Sequence, residues 1–254
     1  MERHFKCTAC GKCCQGWLPL SIEDALTHAD RFPLFMMWSP VRPGGKSYDL
    51  TAELGLTFEP KKRKRAALRI TPFSYIPSSI PCPALLPDGK CGVHETKPQR
   101  CKTMPLSGAR AEDDQTDLMI PKPGWECDIS TDAPLVYRDK TVIERSEFTA
   151  ERSALKADSP VLKAYGDFML AGNPKLRQEV TKMALNPRGG HVIVNFSTLT
   201  PRLPQVDMFS FAAQQFPVMR AFAELTAGEG SMTKEHKRYR ACADEYQRML
   251  DSQS

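Results

Sequence analysis

Apolar and polar positions alternate irregularly through the first half of the chain and settle into helical spacing in the second. Trp17 to Leu20 reads as a short strand. Ser21 then has the character of a helix N-cap, with Glu23 and Asp24 placed to meet the positive helix end. The pattern predicts a helix from there to about Arg31, stopped ahead of Pro33. Leu68 to Ile76 is rich in β-branched and aromatic residues and predicts one or two short strands. Pro87-Asp88-Gly89 is a turn: proline presets φ and glycine accepts a positive φ. It would set Cys82 and Cys91 on the two arms of a hairpin-like loop. Glu95 to Pro105 reads as one or two helical turns carrying Cys101, with Pro98 near the start.

Beyond about Ala133 the pattern becomes mostly helical. Helices are predicted over 145–157, 160–171 and 174–185, the last capped by Asn173 with Pro174 in its first turn. His191 to Ser197 is a short strand signal. A further helix is expected within 209–226, broken or restarted at Pro217, and a last one over 233–250. In that last helix Tyr239, Cys242, Tyr246 and Met249 form one apolar stripe, so Cys242 is expected in a core. These elements give an α+β chain. We expect a small, metal-organised, cysteine-rich domain over 1–135, followed by a mostly helical region over 136–254 packed on it. The join has no Gly/Ser-rich linker that would make a flexible tether.

Composition changes this picture at one point. The 254 residues are 41% hydrophobic and 26% charged, as in an ordinary globular protein, but seven of the nine cysteines fall within the first 101 residues. The N-terminal residues carry no apolar secretory core and no segment is long and apolar enough for a bilayer, so a cytoplasmic location and reduced thiols are expected. There a dense thiol array points to metal binding. The net charge is +5, and the run Lys61 to Arg65 reads as a solvated loop between strands.

Cys7, Cys10 and Cys13 have the C-x2-C-x2-C spacing of zinc knuckles and ferredoxin-type loops, and Gly11 gives the loop backbone freedom. Cys14 is adjacent to Cys13, and neighbouring side chains diverge, so the pair is awkward on one ion. Cys82, Cys91, Cys101 and Cys127 bring the set to eight, enough for two four-thiolate sites. His4 and His94 are further donors, and Cys91-x2-His94 has ligand-like spacing, although a structural role suits both.

The segments "CTACGKCC", "PCPAL" and "GKCGVHETKPQRCKTMP" resemble the three blocks of the CxxCxxCC family, also called YkgJ-type, a zinc- or iron-chelating domain that includes flagellin lysine N-methylases. The matching residues are Cys7, Cys10, Gly11, Cys13 and Cys14; Cys82, Pro83 and Leu85; then Gly89, Cys91, His94, Lys97, Pro98, Cys101, Lys102 and Pro105, with Cys127 as the eighth cysteine. Met104 stands where an aromatic residue is usual. The resemblance covers roughly 5–130 and implies a metal held by Cys7, Cys10, Cys13, Cys14, Cys82, Cys91, Cys101 and Cys127. It also implies redox or protein methyl-transfer chemistry.

Thiolates suit both an iron–sulfur cluster and zinc. Nothing in the spacing separates them, although the distant Cys82-Pro83 echoes the ferredoxin signature. It is the resemblance to the family, with its methyl-transfer and iron–sulfur chemistry, that implies iron, with structural zinc stapling an interaction module as the alternative. Dinucleotide and P-loop fingerprints, the radical S-adenosylmethionine spacing and the G-x-S-x-G elbow are all absent from the sequence. No catalytic residue is assigned, and Glu112 to Asp114 reads as a solvated turn. The expected partner is a substrate, for which a protein is one candidate. Neither a membrane nor nucleic acid is expected, because no aromatic residues interleave the basic run.

Overall fold

The computed structural model describes residues 2–252. In chain order it comprises β1 (Glu2–His4), β2 (Leu18–Pro19), α1 (Ile22–Thr27), β3 (Leu34–Val41), α2 (Tyr48–Leu54), β4 (Leu56–Lys61) and β5 (Lys64–Ser74). Then come α3 (Gln99–Thr103), β6 (Leu135–Arg138), β7 (Thr141–Val142), α4 (Ser146–Gly172), α5 (Pro174–Leu185), β8 (Val192–Asn195), α6 (Met208–Leu225) and α7 (Thr233–Asp251). Strands and helices are both present and the C-terminal region is mainly helical, so the chain is α+β. No described helix is long and apolar enough to cross a membrane.

One sheet has the order β1-β6-β7; the other runs β2-β5-β3-β8, with β4 also paired to β5. The chain groups into two compact units. Of the described residues, one comprises 2–14, 37–71 and 84–192; the other comprises 15–36, 72–83 and 193–252.

The first unit is built on α4. Gly166 lies on its buried face, where a Cβ would stand 2.2 Å from Leu56 Cδ2 and 2.6 Å from Ile70 Cδ1. Glycine there lets β4 and β5 approach the helix. Its neighbour Tyr165 meets the fully buried Trp38 edge to face, with centroids 5.5 Å apart. A satellite core of Leu106, Met119, Tyr137, Val142 and Phe148 closes the β6–β7 end. The loop after α3 is held by charge: Glu151, almost wholly buried, accepts from Gly108 N–H at 2.7 Å and from Arg100 at 3.3 Å. Arg152 donates to the carbonyls of Gly108 and Arg110.

The second unit is an aromatic core between the N-terminal part of β3, the C-terminal end of β5, and the α6–α7 pair. Phe35, Phe73, Tyr75, Phe222 and Tyr239 contact one another with centroids 5.4–6.4 Å apart. Cys242 and Tyr246 continue the Tyr239 stripe into it, as the spacing predicts. Burial pushes the Cys242 thiol up to about 12.

Three local expectations are corrected. Helix α1 ends at Thr27 instead of Arg31. The cause is tertiary: the buried Gln215 amide on α6 takes the carbonyls of Ala29 and Phe32, and its oxygen accepts from Leu34 N–H. The other two concern prolines. Pro160 and Pro217 sit inside unbroken helices, α4 and α6. Each lies on the exposed side of its helix, and the residues four positions earlier, Lys156 and Ala213, are exposed too. The carbonyls that lose a partner can therefore turn to water, while packing of the opposite face outweighs a cost of about 3 kcal/mol. Of the run Lys61 to Arg65, expected as a loop between strands, only Lys62 and Arg63 lie between them: Lys61 ends β4, and Lys64 and Arg65 begin β5, so the run forms the tip of the β4–β5 hairpin.

Candidate metal centre

The loop from Lys6 to Cys14 is aimed by its neighbours at both ends. β1 pairs antiparallel with β6, and Phe5 N–H donates to Pro134 O at 3.0 Å. Lys6 and Asp128 then exchange both backbone hydrogen bonds, at 2.8 and 3.1 Å. That bridge sets Cys7 alongside Cys127. Thr8 Oγ1 donates to Glu126 O at 3.0 Å, and Lys12 Nζ is 4.0 Å from the Glu126 carboxylate. The segment 6–12 is thus laced to 126–128 over its length.

Within the loop the backbone turns through two left-handed residues, Ala9 at φ 56° and Gly11 at φ 70°. Ala9 N–H points at Cys7 Sγ, 3.4 Å away. Cys14 N–H closes a turn onto Gly11 O at 3.0 Å. Gly11 is required twice, for its φ and because a Cβ there would stand 2.6 Å from Gly89 O. The 85–91 loop therefore rests on it. That loop is a hairpin, but Leu85 and not Cys82 stands on the arm opposite Cys91: Leu85 pairs with Cys91, Leu86 N–H donates to Lys90 O at 2.8 Å, and Gly89 has φ 81°. Cys101 lies on α3, which begins after Pro98 as predicted. Met104-Pro105, a cis peptide, follows it.

The electrostatics show which thiols share a neighbourhood. Burial raises the Cys127 thiol above its ordinary value, and the nearby Cys10, Cys13 and Cys7 raise it further. Backbone N–H groups of Lys12 and Glu126 directed at Cys10 hold its thiol low. Cys13 is lowered to about 6, chiefly because the Cys14 thiol donates to it, with Lys97 adding a positive charge against the effect of burial. The structure thus gathers Cys7, Cys10, Cys13 and Cys127 and sets Cys14 beside Cys13. Cys91 lies on the loop that touches Gly11, and Lys97, which acts on Cys13, precedes Cys101 by four residues. Cys82 belongs to the other unit, next to Pro81, which bridges to Gln15. His4 is committed to Ala133 O at 2.7 Å, and His94 is exposed beside Glu95.

Among the described residues, no group of three or more His, Cys, Asp or Glu is placed to hold a metal ion as it stands. The donor chemistry nevertheless fits a soft cation. The group is all sulfur, one thiol is acidic enough to ionise at neutral pH, and N–H groups already point at two sulfurs. Thr8 and the Glu126 backbone are parts of this arrangement that the sequence does not announce. Thr8 and Glu126 are 118 positions apart and belong to no motif.

The outer limits of the laced segment are Lys6 and Asp128, and a family model begins and ends on the same two residues. Residues 6–128 match the model of the CxxCxxCC family. Its description is "putative zinc- or iron-chelating domain". A metal-chelating role is therefore carried by the CxxCxxCC segment, which contains every clustered cysteine and lacks only Cys242. No curated protein and no solved structure matches the chain.

Proposed function

We propose that the CxxCxxCC segment holds an iron–sulfur cluster, with Cys7, Cys10, Cys13 and Cys127 as the leading ligand group. The supporting observation is their shared neighbourhood, in which three thiols of one loop raise the proton affinity of a fourth 114 or more positions away. Crowded thiolates repel, and a bound cation removes that cost. Cys14, Cys82, Cys91 and Cys101 stay in the ligand set through their places in the family motif. When bound, the cluster would supply redox capacity. The chain's own contribution is to donate N–H groups to sulfur, through Ala9, Lys12 and Glu126, and to place Lys97 against the negative charge of the thiolates. Such N–H···S contacts and the exposure of Cys7 are levers on a cluster's potential. The activity we assign is redox or methyl-transfer chemistry in the cytoplasm, on a substrate for which a protein is one candidate. Structural zinc is the second reading, since the same N–H···S contacts also suit a closed Zn(Cys)4 site.

Anaerobic purification with assay of iron, acid-labile sulfide and zinc tests this. Iron with sulfide and visible absorption is expected for the wild type. Cys10→Ser should lose the metal and destabilise its unit, since structural metal binding is worth about 10–16 kcal/mol against a domain stability of about 5–15 kcal/mol. Stoichiometric zinc without sulfide would replace the first reading by the second. A folded, metal-free protein with all eight thiols titratable would refute both.

A further inference from the structure

Five cations in succession, Lys61, Lys62, Arg63, Lys64 and Arg65, occupy the tip of the β4–β5 hairpin, and all five are exposed. Without them the chain's 35 Lys and Arg fall to 30, equal to its 30 Asp and Glu. The whole net charge of +5 is thus matched by this one turn. None of the five joins an ion pair among the described residues.

The arrangement works against the hairpin's own stability in two ways. Lys61 and Lys64 are cross-strand partners, so like charges face each other on one side of the ribbon. Arg63 holds φ 62°, the left-handed region that tight turns give to Gly or Asn. Departures from local preference at an exposed tip mark a function that outweighs them.

We propose that this hairpin is a docking finger for the phosphate backbone of duplex nucleic acid, read without base specificity. The geometry separates that occupant from other anions. Lys61 and Lys64 share one face of the ribbon, and Lys62 and Arg63 form its tip. Arg65, next along β5, projects to the opposite face. A flat acidic protein surface would meet one face only, whereas a groove walled by phosphates on both sides meets all of them. A two-stranded ribbon fits the major groove. The tip carries no apolar residue to enter a membrane and no aromatic residue to stack on single-stranded bases. The absence of aromatic residues therefore excludes base stacking, not phosphate binding.

Fluorescence anisotropy of the full chain with a labelled mixed-sequence DNA duplex tests the finger. With three or four phosphates engaged, the affinity should fall about 40-fold to 150-fold between about 50 and 200 mM salt. The variant carrying Gln at all five positions should lose more than tenfold in affinity at low salt while keeping its metal content and melting at least as high as the wild type, since the facing Lys61 and Lys64 charges are gone. Arg63→Gly removes one charge and relaxes the turn, so it should bind several-fold more weakly yet melt at a higher temperature. Unchanged duplex binding by the five-Gln variant would overturn the proposal. So would preference for anionic vesicles, an acidic peptide or single strands over the duplex, or an Arg63→Gly variant that keeps the full salt slope.

Discussion

Alanine at position 11 would test whether the close approach of two loops builds the metal centre. The new Cβ would stand 2.6 Å from Gly89 O and 3.0 Å from Leu85 Cδ1. A carbon–oxygen contact is comfortable at about 3.3 Å or more, so the carbonyl must retreat by roughly 0.7 Å. Leu85 can change rotamer, but the Gly89 carbonyl belongs to a turn pinned by Gly89 N–H on Leu86 O at 2.9 Å and by the Leu86–Lys90 bond. The left-handed φ costs a non-glycine residue about 1–2 kcal/mol, and forced overpacking about 1–3 kcal/mol more. Gly89→Ala is the matched control: its φ is 81°, but nothing lies within 4 Å of the added Cβ, so only the first cost applies. Gly11→Ala should therefore lose about 2–5 kcal/mol and Gly89→Ala about 1–2 kcal/mol. At about 2–4 °C per kcal/mol for a chain of this size, thermal melts resolve the gap. Metal per chain should fall in the first variant and hold in the second. If both melt alike and both retain full metal, the contact between the 85–91 loop and the cysteine loop does not support the centre.

Three further outcomes follow from the packing and the charges. Gly166→Ala gains about 1 kcal/mol of helix propensity but drives a methyl into Leu56 and Ile70, so a lower thermal midpoint is expected, and a higher one would show that β4 and β5 yield freely. Cys242→Ser should cost about 1–3 kcal/mol by burying a hydroxyl, with metal content intact; metal loss equal to that of Cys10→Ser would make Cys242 a ligand. Arg145 holds the Glu112 carboxyl below its ordinary 4.5 through a side-chain hydrogen bond, aided by Val142 N–H. A depressed carboxyl contributes stability above its unfolded value and loses it as pH falls through the folded one. Arg145→Gln should therefore lower the urea midpoint at pH 7 and leave it nearly unchanged well below pH 4, whereas an equal drop at both would mean the contact is not electrostatic.

Much of the centre is legible along the chain because its parts are local. C-x2-C-x2-C spacing, the Pro87-Asp88-Gly89 turn and the Pro98-initiated α3 each depend on a few adjacent residues. The helix caps are equally local: Ser21 accepts from Asp24 N–H at 3.0 Å and Asn173 from Leu176 N–H at 2.9 Å. The apolar stripe of α7 follows from helical geometry alone, which is why Cys242 could be set apart from the other eight cysteines.

Tertiary structure decided what brings Cys127 to Cys7. That depends on β1 and β6, strands of three and four residues too short to show a period, and on one bridge between Lys6 and Asp128. It also decided where α1 stops, through a glutamine 186 positions from one of the carbonyls it binds, and why two prolines leave their helices unbroken. A residue's own preference is worth about a kilocalorie per mole, and proline's about three; a buried amide that satisfies several backbone groups, or a packed helix face, is worth as much or more. Sequence therefore determined the cysteine spacings and the local turns that carry them. The partners of those turns were set by long-range contacts, which leave no periodic mark on the chain.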